Sequence, residues 1–375
     1  MTADLQRRIR PAGVRVLAGA VSVLAVASVT AAVRHDRGGA GPSTLALDRA
    51  TTTTAPPTTT TTVAPETTTT AAPVTTAAPV TTAAPRPAPV RAAPKPKPRP
   101  AAVTLAPVPG TAAPFGGLGA WVDVYDWSAR YTNGNPPVGV AAIDHMASMG
   151  VQTLYIQGSR WDAPDDVLEP DRLRGLLDRA RQRGMRVVTW YLPTFEDPAT
   201  DIRRLVAMGK LPVDGVGVDI EDKRVADPAE RSRRLVEVSA GTRQGLPGMP
   251  LAAIPLPAVL MEEINRNSWP GFPYAELAPH YDAWMPMDYW TYRTEASGWR
   301  DAYKYTAQNI IRLRNHLGRT DLPVHPIGGL AEPSSAAEID AFQRAAADHG
   351  AIGGSIYDYR TTKPDAWPAL QRLRR

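Results

Sequence analysis

Asp219 and Glu221 stand two residues apart in the run Val-Asp-Gly-Val-Gly-Val-Asp-Ile-Glu-Asp over 213–222. In an extended strand, alternate side chains point to opposite faces. Val216, Val218 and Ile220 then form an aliphatic face, while Gly217, Asp219 and Glu221 share the other. Two carboxylates delivered side by side can do general acid–base work. An acid that protonates a leaving group must keep its proton near neutral pH, which takes burial or a neighbouring negative charge. Asp219 could supply that charge to Glu221. A further carboxylate could act as nucleophile or base, with Asp288, Asp358 and Asp123 as candidates, and its distance from Glu221 would decide between retention and inversion. The competing arrangement is a buried ion-pair network in which Arg160, Arg293 or Lys223 ties up the acids.

The acids need a frame, and from Phe115 onward apolar runs alternate with amphipathic stretches. Strands are predicted at Ala120–Val124, Val151–Ile156, Arg186–Tyr191, Gly215–Glu221, Pro250–Ile254, Ala283–Met287, Val324–Gly328 and Gly353–Tyr357. Helical spacing falls between them at 139–149, 170–184, 198–209, 228–243, 257–266, 300–317, 335–349 and 366–373. Gly150, Gly184 and Gly350 mark helix ends. Eight strand–helix units over roughly 260 residues match the size of a (β/α)8 TIM barrel. No glycine-rich phosphate loop follows the first strand, which counts against a doubly wound sheet.

Barrel sites form at the carboxyl ends of the strands. Those ends carry Trp121, Asp123 and Tyr125; Tyr155, Arg160 and Trp161; Trp190; Asp219 and Glu221; Asp288, Tyr289 and Trp290; and Tyr357 and Asp358. Aromatic faces beside carboxylates suit a sugar, whose C–H faces stack on rings while its hydroxyls bond to acids. Glu221, Asp219 and Asp288 are therefore the catalytic candidates. Trp121, Asp123, Tyr125, Tyr155, Trp190, Tyr289, Trp290, Tyr357 and Asp358 are the substrate-binding candidates.

Asp214-Gly-Val-Gly-Val-Asp219-Ile-Glu221 resembles the fourth-strand signature of the family 18 glycoside hydrolases, the chitinases and their relatives, Asp-Gly-x-Asp-x-Asp-x-Glu. Trp284-Met-Pro-Met-Asp288-Tyr289 is similar to that family's sixth-strand Met-x-Tyr-Asp motif. The resemblance implies a barrel glycosidase in which Glu221 protonates the glycosidic oxygen and Asp219 holds the N-acetyl group of the substrate. The chain departs from the pattern twice. Gly217 replaces the middle aspartate, and Met287 takes the tyrosine slot, with Tyr289 two positions late.

Composition narrows the setting. Residues 1–110 hold 12 basic and 4 acidic side chains, and the remainder holds 30 and 33. The basic overall balance therefore belongs to the tail, which removes the case for a nucleic-acid partner. There is no cysteine, so disulfides and thiolate chemistry are excluded. The six histidines are scattered, no cofactor is implied, and no metal site is read, although carboxylate clusters can bind calcium. A basic tail (1–15) precedes an uncharged run (16–33) expected to be a membrane anchor or signal peptide. A Thr/Pro/Ala-rich spacer (34–112), too poor in large apolar groups to pack, precedes the barrel (113–375). The expectation is an exported, membrane-tethered or secreted glycoside hydrolase acting on a cell-envelope or environmental polysaccharide, such as a peptidoglycan-type glycan. The alternatives are a catalytically silent glycan-binding scaffold and a lysozyme-like muramidase.

Overall fold

The computed structural model describes residues 110–375, and the expected tail, apolar run and nearly all of the spacer lie outside the described residues. Eight parallel strands run in the order β6-β5-β4-β3-β2-β1-β8-β7. They are β1 Gly117–Val122, β2 Thr153–Gln157, β3 Arg186–Tyr191, β4 Gly215–Ile220, β5 Leu251–Pro255, β6 Ala283–Trp284, β7 Ile327–Leu330 and β8 Gly353–Tyr357. The order closes on itself through Trp284 with Val324 and Met287 with Ile327. This is the predicted α/β barrel, with β6 and β7 shorter than their apolar runs. Pro286, Pro323 and Pro326 have no N–H to give the ladder. Pairing there falls to single bonds such as His325 N–H to Trp284 O (2.9 Å) and Asp288 N–H to Ile327 O (2.7 Å).

The long helices are α1 Val140–Ser148, α2 Pro170–Gln182, α3 Pro198–Gly209, α4 Pro228–Gly245, α5 Ala302–Leu317 and α6 Ala336–Asp348. Their starts are set locally. Asp197, Asp227 and Asp301 accept first-turn N–H groups, and Ser335 with Glu338 forms a capping box. Within the predicted helix over 257–266, Ala258 and Val259 are α-helical and Leu260–Ile264 continues as a π-helical turn, with the Asn309 side chain accepting from the Val259 N–H at 2.8 Å. The predicted helix over 366–373 is broken into a 3-10 turn, a four-residue helix and a second 3-10 turn. Among the described residues no helix is long and apolar enough to cross a membrane.

Two apolar layers follow from strand alternation. Val216, Val218 and Ile220 lie in the larger layer between sheet and helices. Trp121, Tyr155, Val188, Trp190, Ile254, Met285, Met287 and Ile327 fill the barrel's interior. Its amino-terminal end is closed by a 3-10 turn, Gly110–Phe115, whose Ala112 and Phe115 are fully buried in that interior layer. The Phe115 ring packs so close to Gly215 that a Cβ there would sit 3.1 Å from it. Ala112, next to the boundary expected at 113, is thus part of the packed interior.

Candidate active site

β4 carries Asp219 and its continuation carries Glu221, and both line a pocket at the carboxyl ends of the strands. Trp121 from β1, Trp190 from β3, Ile254 from β5, Met287 and Tyr289 after β6, Ile327 from β7 and Tyr357 from β8 complete the wall. The space measures about 340 Å³ including its opening to solvent.

The acids are held in unlike ways from the rest of the surface. Asp219 is buried, and its Oδ1 has no hydrogen-bond partner. Glu221 is half-buried, and its carboxyl makes no hydrogen bond or ion pair among the described residues. The competing ion-pair network is absent there: Arg160 pairs with Asp162, the Arg293 guanidinium donates to Tyr289 O at 3.4 Å, and Lys223 Nζ donates to Ser268 Oγ at 2.8 Å. Burial, then the charge of Asp222, pushes Glu221 up to about 7, with Lys223 opposing. Burial, then Glu221 and Asp222, raises Asp219 well above the ordinary carboxylate range. Asp222, the next acid of the run, adds its negative charge to the pair, and Glu221 and Asp219 each oppose the other's ionisation. Asp222 is itself kept in place by the Arg224 N–H (2.8 Å) and guanidinium (3.5 Å).

The structure brings Trp121, Trp190, Asp219, Glu221, Tyr289 and Tyr357 together and places the other candidates elsewhere. Asp288 is not in the pocket. Strand alternation after β6 puts Met287 and Tyr289 inside and sends Asp288 outward, fully buried towards Asn309 and Tyr305 of α5. Burial raises it strongly, the nearby Asn309 side chain opposes, and neither carboxyl oxygen has a hydrogen-bond partner of good geometry. Trp290 is likewise outside, packed on Phe342 (5.5 Å between centroids) and against Gly328 and Gly329, whose missing side chains admit the indole. Tyr155 lies one layer below the pocket, stacked on Trp121 at 4.5 Å with 11° between planes, because the two are register partners of β2 and β1. Asp123 sits behind Tyr357, whose hydroxyl donates to it at 2.7 Å. Asp123, Asp126 and Asp358 approach within 4.8 Å of one another. Their oxygens already accept from the Tyr125 N–H, the Asp123 N–H and Thr361. Tyr125 stands on the rim against Tyr131.

Three pocket residues were not anticipated: Ile254, Met287 and Ile327. Ile254 is the last residue but one of β5, Met287 follows β6 and Ile327 opens β7, and all three are inward positions that alternation could have found. A second unanticipated feature lies beneath. Trp121 Nε1–H donates to Ser355 Oγ (2.8 Å), Ser355 Oγ–H faces His325 Nε2 (2.9 Å), and His325 Nδ1 faces Phe115 O (2.6 Å). Burial pulls His325 down to about 3, so the ring stays neutral. With Nδ1–H donating to the carbonyl, Nε2 accepts, and every group in the line is matched. The closing turn at the base thereby fixes the indole in the pocket wall.

Gly217 explains one departure from the family 18 pattern. A Cβ on it would lie 2.8 Å from Ile254 Cδ1 and 3.3 Å from Trp190 Cβ. Neighbouring side chains occupy the space an aspartate would need.

No family model and no curated protein matches the chain. Solved structures do match it in fold. The Bacillus cereus spore cortex-lytic enzyme SleL aligns at 10% identity over 69% of this chain and 74% of that one, with a TM-score of 0.51. The fold is a TIM barrel. The β-galactosidase of the psychrophilic Marinomonas ef1 aligns at 12% identity over 68% and 58%, TM-score 0.50. The endo-1,4-beta-D-mannanase of Thermotoga petrophila RKU-1 aligns at 11% over 69% and 99%, TM-score 0.49.

Proposed function

We propose that the protein is a glycoside hydrolase of a cell-envelope or environmental polysaccharide, with Glu221 as general acid. The observation that carries this reading is Glu221 itself. It is a carboxyl with no hydrogen-bond or ion-pair partner among the described residues, pushed up to about 7, in a pocket walled by Trp121, Trp190, Tyr289 and Tyr357. A group poised near the working pH is protonated often enough to donate and acidic enough to do so. The indole and phenol faces stack a sugar ring, and Asp219 Oδ1 and Trp190 Nε1, both buried without partners, offer polar contacts to its substituents.

In the reaction, Glu221 gives its proton to the glycosidic oxygen as the C–O bond breaks, and the electron pair leaves with that oxygen. Positive charge develops at the anomeric carbon. Asp219 is the pocket carboxyl nearest in sequence, and on the family 18 resemblance it steadies an N-acetyl group of the substrate. Water then completes the hydrolysis, returning a proton to Glu221. Burial, then the charges of Glu221 and Asp219, raises Tyr289, so its hydroxyl keeps its proton and can donate to the substrate. The apolar run at 16–33 and the spacer after it support placing this activity outside the cytoplasm.

A catalytically silent glycan-binding barrel is the second reading, favoured by Gly217, where the family's middle aspartate is replaced and its space is filled. The test is release of reducing ends from chitin oligomers, peptidoglycan and α- and β-glucans by the full chain and by Glu221→Gln. Turnover lost in a folded Glu221→Gln protein supports hydrolysis. Binding by both proteins without turnover in either supports the silent barrel.

A further inference from the structure

Among the described residues three large apolar side chains are strongly exposed: Val140, Trp161 at 43% and Tyr292 at 38%. Both aromatics stand on loops at the carboxyl ends of the strands, on the mouth that holds the pocket. Tyr292 follows β6, close enough to Glu221 to feel its charge, with its ring 6.1 Å from that of Tyr289. Trp161 follows β2, on the other side of the acids.

Trp161 is not a loose surface ring. The Arg224 guanidinium lies 4.1 Å from the indole centroid and that of Arg160 lies 5.3 Å away. Both are themselves anchored. Arg224 pairs with Asp222 at 3.5 Å and Glu196 at 3.7 Å. Arg160 pairs with Asp162, which accepts from the Tyr131 hydroxyl at 2.7 Å, and its guanidinium packs 5.0 Å from the Tyr131 centroid and 5.5 Å from that of Tyr125. An indole held by two guanidiniums loses little freedom when a ligand lands on it, so contact there is not offset by ordering. It is also tied to the acids: Arg224 is three residues beyond Glu221, at most about 11 Å along the chain.

We propose that Trp161 is the platform of an outlying sugar subsite, so that the substrate is a polysaccharide chain of several units crossing the mouth from Trp161 over Glu221 to Tyr292. This deepens the reading given above and rests on it for the nature of the ligand. A ring stacks its C–H face on the exposed indole surface, and the fixed guanidiniums of Arg160 and Arg224 donate to its hydroxyls. The central pocket then holds one unit while its neighbours lie on the rim, which is the geometry of cleavage within a chain.

Binding measured by calorimetry tests this in the Glu221→Gln protein, which does not consume the ligand, with and without Trp161→Ala and Trp161→Phe. The probes are oligomers from disaccharide to hexasaccharide of β-1,4-linked N-acetylglucosamine, cello-oligosaccharides and peptidoglycan glycan-strand fragments. In the series that binds, Trp161→Ala is expected to weaken the hexasaccharide roughly tenfold and leave the disaccharide unchanged. Trp161→Phe should restore most of the loss. Equal weakening at all lengths, or no length dependence in any series, overturns the platform. Length-dependent loss in a chain whose parent cleaves nothing keeps the platform and discards hydrolysis. Hydrolysis without length dependence does the reverse.

Discussion

β4 and the segment after β6 each bury carboxyl groups and raise them, but on opposite sides of the barrel wall. Asp219 and Glu221 face the pocket with Trp121 and Trp190, whereas Asp288 faces the helix layer beside Tyr305 and Asn309. Burial is the first cause of the shift in all three. A displaced carboxyl is therefore not in itself a mark of catalysis, although such groups cluster at active sites. What separates the regions is access: one residue of phase along a strand decides whether a raised acid meets a substrate or a helix.

The largest effect that could break this contrast is on turnover. Glu221→Gln is expected to lower kcat by about 10²–10⁴ in assays of reducing-end release, the usual worth of a general acid. Asp288→Asn should leave kcat within a few fold. A collapse of turnover in Asp288→Asn, with the fold and thermal midpoint retained, would put the acid machinery on the wrong side of the wall.

Stability against pH sharpens the same contrast. Folded Glu221 holds its proton up to about 7, whereas its ordinary value is 4.5. Between those values the folded state binds more protons than the unfolded, so this group makes stability fall as pH rises through the window. Glutamine has no proton to lose. Glu221→Gln should therefore gain on the parent from pH 4.5 to 7, by about 1–3 kcal/mol in denaturant titrations at the upper end, and match it below pH 4. A constant difference across that window would mean that Glu221 is not raised. Asp288→Asn should also gain with rising pH, since burial raises Asp288 too. The two part company in the pH profile of kcat/KM, where only Glu221 sets the alkaline limb.

Much of this was legible in the sequence, and the failures share a cause. The alternation of Val216, Val218 and Ile220 with Gly217, Asp219 and Glu221 was enough to place both acids and the barrel strand that bears them. The same logic failed after β6, where Asp288 and Trp290 are outward and Met287 and Tyr289 inward. The family motif matches there by residue type alone, and Pro286 interrupts the strand pairing that would set the phase. Tyr155 misses the pocket by one layer of depth, which period-two alternation does not encode, and Asp123 is screened from it by the Tyr357 hydroxyl it accepts from. The line from Phe115 through His325 and Ser355 to Trp121 joins residues more than two hundred positions apart, and no local pattern signals it.

A smaller effect separates the acids within β4's own segment. Asp222 raises Glu221 through its charge, and Glu221 and Asp219 each oppose the other's ionisation. Asp222→Asn should shift the alkaline limb of kcat/KM to lower pH, because removing a neighbouring negative charge favours the ionised Glu221. Asp219→Asn should lower the rate as well as shift the limb, because it also removes a substrate contact. A limb that stays in place in Asp222→Asn would show that Asp222 does not act on Glu221.

The smallest expected effect tests whether the inner face is one environment or two. Ser355→Ala removes the acceptor of Trp121 Nε1 and the hydroxyl facing His325 Nε2, leaving two buried polar groups without partners. Each such loss costs about 1–3 kcal/mol, so a lowered thermal midpoint is expected. That alone would be the outcome of any damaged core. The informative quantity is the split between KM and kcat. Trp121 remains wedged by Tyr155 at 4.5 Å and Trp190 at 5.8 Å, so the indole tilts rather than leaves. The base of the barrel does not touch Glu221. A higher KM for glycan with unchanged kcat and an unmoved alkaline limb would separate the anchored sugar wall from the proton-donating wall above it. A kcat that falls with KM unchanged would show that the line from Phe115 to Trp121 reaches the acids after all.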